Sequence, residues 1–113
     1  MSIIMSIHKK WNDAIFNGTK EYEFRKNIGV NDWKDKTVYI YETKKNKGTG
    51  KIVGEFIIED IILVNTMILT DLEIIKYNPK YAIKISKIKK YIKSKELSDF
   101  KKNNIAPQSW CYC

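Results

Sequence analysis

Through most of this chain apolar residues recur at every second position, the period of a strand with one buried face. Residues 2–7, SIIMSI, predict a short first strand. At His8 the period changes: Trp11, Ala14 and Ile15 share one face of a helix, and Gly18 is suited to end it. The stretch 18–26, GTKEYEFRK, returns to alternation. Read as a strand, it puts Tyr22 and Phe24 on one face and Glu21, Glu23 and Arg25 on the other. Residues 27–35 read as a loop with Trp33 inside it. KTVYIYET (36–43) and KIVGEFIIED (51–60) predict two strands joined by a basic, glycine-containing hairpin connection, KKNKGTG. Thr70 and Glu73 form a capping box that opens a short helix, and Pro79 ends it. Residues 81–92 alternate again, 94–104 suggest a last short helix burying Leu97 and Phe100, and 106–113 close the chain as a strand.

Five or six strands with two or three short flanking helices in 113 residues imply one α+β domain spanning 1–113, its mixed sheet curled into a small β-barrel. The longest apolar run, Ile61–Val64, is far too short to cross a bilayer, so no membrane partner is expected. The first residues carry neither the positive charge nor the cleavage site of a signal peptide, and a cytoplasmic protein is the default expectation. Cys111 and Cys113, two apart on one strand, are poorly placed for a disulfide and read as reduced, incidental thiols. With His8 as the only histidine the chain offers no ordinary zinc ligand set, and neither metal nor cofactor is expected.

Charge changes this picture more than composition does. The net charge is +8. Residues 1–75 hold 11 basic and 11 acidic side chains, which cancel, whereas 76–113 hold ten lysines against Glu96 and Asp99. The whole excess lies in the last third, as suits a surface facing phosphates or an acidic protein partner. The abundance of Lys, Ile and Asn also fits an AT-rich coding bias, which explains the number of lysines better than their segregation.

Glycine-rich phosphate loops, HExxH and GxSxG are all absent. His8, at the start of its helix, reads as a capping or packing residue and not as part of a triad. Arg25 stands apart, the only arginine among 21 basic residues. In a strand Glu23 and Arg25 project from one face, about 6–7 Å apart along the backbone. The arginine fork suits phosphate, carboxylate or a base edge in a way that lysine cannot imitate. Lys20, at the turn entering the strand, can swing to the same side. The bland alternative is a solvated strand whose ion pairs are worth little.

Gly18, Lys20, Glu23 and Arg25 spell G-x-K-x-x-E-x-R. This motif resembles the signature of the ASCH domains, a branch of the PUA-like superfamily. SIHKKWNDAIFNG is similar to that family's first strand and helix, KTVYIYET and KIVGEFIIED to its central strands, YAIKI and APQSWCYC to its closing ones. The resemblance implies a small PUA-like β-barrel with flanking helices and a ligand cleft lined by Gly18, Lys20, Glu23 and Arg25. It also implies RNA-related work, because relatives bind RNA, read modified bases or hydrolyse nucleic-acid substrates. The acetylcytidine amidohydrolases of the family use a Lys and a Thr within this stretch. Lys20 matches the first, but Glu23 stands where the Thr would be, so that mechanism lacks its hydroxyl here.

Three readings stand open. The leading one is a nucleic-acid-binding domain, for RNA in the first instance, whose cleft centres on Lys20, Glu23 and Arg25. Trp33 would supply a stacking plane, since a loop tryptophan has less structural reason to be present than Tyr39, Tyr41 or Trp110. Lys84, Lys87, Lys89, Lys90 and Lys93 would attract the phosphate backbone. The second reading is a hydrolase of RNA or of a modified nucleoside, with Glu23 as general base and Lys20 stabilising the developing negative charge. The third is a protein-interaction module whose basic C-terminal face meets an acidic partner.

Overall fold

The elements β1 (Ile3–Ile7), α1 (Lys9–Phe16), β2 (Tyr22–Arg25), β3 (Thr37–Glu42), β4 (Ile52–Leu63), α2 (Leu72–Tyr77), β5 (Tyr81–Lys95) and β6 (Trp110–Tyr112) succeed one another in the computed structural model, which describes residues 1–113. The strands form one mixed sheet in the order β2-β5-β4-β3-β1-β6. β1 runs parallel to β3, and every other neighbouring pair is antiparallel. Three short 3₁₀ turns, Lys45–Lys47, Val64–Thr66 and Leu97–Asp99, complete the backbone. No helix is long and apolar enough to cross a membrane.

β1 reads as a nearly unbroken apolar run because both of its faces are covered. Ile3, Met5 and Ile7 enter a core with Val38, Ile40, Phe56, Ile58, Ile83 and Ile15 of α1. Ile4 turns the other way, to a smaller core of Tyr41, Ile52, Tyr91 and Leu97. Register shifts at Ile40/Tyr41 and at three points along β4–β5 bend these strands, and Lys87 sits at one of them with φ of +48°. The curl brings opposite ends of the sheet together. Arg25 on edge strand β2 reaches the Ser6 carbonyl of β1 and Ser109, just before β6. The α+β barrel expected with five or six strands is present as a six-stranded curled half-barrel that side chains, not a backbone ladder, draw closed.

The structure corrects several local expectations. Trp33 is buried completely, the largest side chain with no exposed surface, and so presents no plane to a base. Its Nε1 donates to the Tyr112 hydroxyl at 3.0 Å, and its ring stands edge-on to Trp110 with centroids 4.8 Å apart. The loop tryptophan here is a member of the main core. α1 buries Asn12 and Ile15, while Trp11 and Ala14 stay half-exposed. Asp71, not Thr70, caps α2: its Oδ1 accepts from the Glu73 and Ile74 amides at 2.9 and 3.4 Å. Asn78 at φ +56° closes that helix before Pro79. Residues 94–104 give no helix beyond the Leu97–Asp99 turn; Leu97 is buried as expected, whereas Phe100 is only half-buried, its ring against Tyr39.

Candidate functional site

β2 pairs with β5 alone, from Tyr22 opposite Lys84 to Arg25 opposite Tyr81. Its alternation turns Glu23 and Arg25 to the concave side, where they retain 6% and 8% of their exposure. A single charge buried this way costs several kcal/mol, about 3–5 when its partner is removed, so both require close compensation. Glu23 Oε2 accepts from Arg25 Nη2 at 2.7 Å and from its Nε at 3.2 Å. Lys20 completes the row with Nζ 3.3 Å from the other oxygen, Oε1. The Lys20 amide donates to the Ala14 carbonyl at 3.0 Å, which ties the entry of β2 to α1. Its ammonium lies 4.8 Å from the Trp11 ring centroid and 5.3 Å from that of Phe24.

Gly18 does not line this site. It forms the turn after α1 with φ of +84°, a conformation that strains any residue bearing a Cβ. Arg25 is spent inside the protein. Of its five N–H groups, two face Glu23, one faces the Ser6 carbonyl at 2.8 Å, and two face Ser109, at 3.1 Å to Oγ and 3.5 Å to O. The arginine is therefore a brace that orients Glu23 and ties β2 to β1 and to the segment entering β6. Lysine, a single point donor, could not reach these groups together.

In front of the row opens a cleft of about 490 Å³, a volume suited to one small ligand. Trp11, Phe24, Ile74 and Tyr77 give it apolar walls; Ser6, His8, Thr43, Lys45, Lys76 and Gln108 add polar groups. A wall of Trp11, Lys20, Phe24 and Ile74 separates it from a second recess of about 370 Å³ that carries Glu21 and Asp71. His8, expected only to cap or pack, turns into the larger cleft with Nδ1 2.6 Å from Thr43 Oγ1. Partial burial, then the Lys45 and Arg25 cations, push its titration below 6.5 against the pull of Glu23. The ring is accordingly neutral at pH 7. Its partner comes from the parallel pairing of β1 with β3, which aligns Ile7 with Glu42 and so places His8 beside Thr43. That long-range register leaves no local trace in the sequence.

None of the five lysines expected to meet a phosphate backbone lines the cleft; all lie on β5. Lys84 is held by Glu59 at 2.7 Å, and Lys90 lies 5.7 Å above the Phe16 ring. Lys87, Lys89 and Lys93 are exposed and have no carboxylate at ion-pair distance. The cations at the cleft are instead Lys20, Arg25, Lys45 and Lys76.

The ASCH domain family model matches residues 5–106, a span that contains the row, every cleft residue but Gln108, and the strands from Met5 of β1 to the end of β5. The chain belongs to the ASCH domain family. This ASCH domain is similar in fold to the crystal structure of ASCH from Zymomonas mobilis, at 22% identity and a TM-score of 0.77, over 99% of this chain and 87% of that one. A tyrosine-to-phenylalanine variant of the same protein matches at 21% identity and a TM-score of 0.76, over 99% and 89% of the two chains. At these identities the likeness is one of fold. Comparison with curated proteins finds no match.

Proposed function

We propose that this ASCH domain binds single-stranded nucleic acid, RNA in the first instance, by taking one unstacked nucleotide into the cleft above Lys20, Glu23 and Arg25. The observation that carries this reading is the row itself: a buried carboxylate held between two cations, on the floor of a cleft of nucleoside size walled by Trp11 and Phe24. Aromatic walls favour any base by stacking, worth about 1–3 kcal/mol. The Glu23 acceptor beside the Lys20 donor suits a base edge that presents a donor next to an acceptor. Outside the cleft, β5 ends at Lys95 opposite Ile52, beside the hairpin that brings Lys45 to the cleft. Lys87, Lys89 and Lys93 thus offer a backbone track toward the opening.

Fluorescence anisotropy with labelled single-stranded RNA, duplex RNA and duplex DNA tests the reading. Single-stranded RNA is expected to bind best, and Lys20→Ala to weaken it about tenfold. Equal affinity for all three, untouched by Lys20→Ala, would sink it. A hydrolase of RNA or of a modified nucleoside, with Glu23 as base, ranks second. Both oxygens of Glu23 already face cations, so an attacking water would have to share one of them. RNA cleavage on a gel that disappears with Glu23→Gln would reverse the order. A nuclease-resistant complex with an acidic protein would displace both readings.

A further inference from the structure

The cleft has a second wall that the family motif does not include. On the floor Lys20 and Arg25 share the one carboxylate of Glu23. At the rim Glu73 is taken by Lys10 at 2.6 Å. Lys45 and Lys76 alone among the cleft's cations have no carboxylate at ion-pair distance. Lys45 stands beside the hydrogen-bonded pair of His8 and Thr43, close enough to oppose protonation of the ring.

We propose that His8, Thr43 and Lys45 form a phosphate subsite, and that the ligand of this cleft is a nucleoside phosphomonoester, free or at the end of a strand. The proposal rests on the nucleotide reading above and adds the group that the nucleotide must carry. A phosphomonoester brings a charge of about −1.5 to −2 and three acceptor oxygens, which matches two uncompensated lysines better than the single charge of an internal diester. The His8–Thr43 bond always leaves a donor free. If Thr43 donates to Nδ1, the ring keeps Nε2–H; if Nδ1–H donates to Thr43, the hydroxyl proton is released toward the cleft. The opposite end of the ligand is oriented as well. Beyond the Trp11–Phe24 wall the second recess holds Glu21 and Asp71, which repel an anion and leave the ring end to the aromatic side.

Because His8 is the only histidine, its ring Hε1 proton gives an unambiguous NMR signal. Titrating inorganic phosphate, cytidine, cytidine monophosphate, and short single-stranded RNA with and without a terminal phosphate tests the subsite. Inorganic phosphate and the monophosphate are expected to shift the signal and raise its titration midpoint, while cytidine leaves it still. The monophosphate is expected to bind about tenfold tighter than cytidine. Lys45→Ala and Thr43→Val should each cut that ratio of affinities to about threefold or less. A silent His8 signal under phosphate, or a gain that survives both variants, overturns the subsite while leaving nucleotide binding intact. If no nucleoside, nucleotide or RNA binds, yet inorganic phosphate moves His8 and Lys45→Ala abolishes the response, the subsite stands and the nucleotide reading falls. Tightening of RNA by its terminal phosphate identifies a strand end; a gain confined to the mononucleotide identifies a free metabolite.

Discussion

At the scale of single residues, Arg25 acts through what it holds. Its donors fix one Glu23 oxygen, the Ser6 carbonyl and both acceptors of Ser109. Arg25→Ala would strand a buried carboxylate and should cost about 3–5 kcal/mol in urea unfolding. Arg25→Lys keeps the charge but serves one or two of these groups, and a loss of about 2 kcal/mol is expected. Parent-like stability of the lysine variant would show that the fork is dispensable. His8 gives a prediction with a definite sign. Its titration is lowered in the fold, so between the folded midpoint and about 6.5 the unfolded chain binds more proton. Stability from this group is full above about 6.5 and is lost as pH falls through the folded midpoint. Melting from about pH 7.5 to about 5 should show this decline, and His8→Gln should remove that component of it. An identical slope in the variant would assign the decline to other groups.

At the scale of elements, α2 is the lightest wall of the cleft. It brings Glu73, Ile74, Lys76 and Tyr77 to the opening, held by the exposed Lys10–Glu73 pair and by Lys26, 4.8 Å from the Tyr77 ring centroid. Asp71 fixes its first turn, so Asp71→Ala should cost about 1 kcal/mol of local order, and Asp71→Asn much less. Faster amide exchange in 72–77 with the β-strand amides unchanged is the expected signature; uniform loss of protection would mean that α2 is integral to the core. Such elements were legible where their signal is local. Alternation places Glu23 and Arg25 on one face, and a three-residue reach brings Lys20 to them. At α2 the local signal was right about a cap and one residue off: Asp71, directly before Leu72, takes the place expected of Thr70. Trp33 and His8 were misplaced for a different reason. The partner of one is Tyr112, and of the other Thr43, 35 positions away, both delivered by strand pairing. No periodicity encodes a neighbour at that distance.

At the scale of the whole molecule, the segregated charge takes on a direction. The lysine-rich strand does not line the cleft, yet it runs to the same end as the hairpin bearing Lys45. Under the nucleic-acid reading the two parts divide the work: the cleft selects one nucleotide, and β5 contributes attraction that is blind to sequence. They should therefore separate by experiment. Lys84 is already neutralised by Glu59 and would contribute little. Exchanging Lys87, Lys89 and Lys93 for glutamine together should lower the slope of log affinity against log salt by about 2 for single-stranded RNA. The affinity for a mononucleotide should not change, because none of these side chains reaches the cleft. If the RNA slope also stays fixed, the strand does not face phosphates. Its lysines would then act as the charges that keep the stretch of β5 beyond its pairing with β2 at Tyr81–Lys84 from adding another chain, and the triple variant would reveal that instead by association at high concentration.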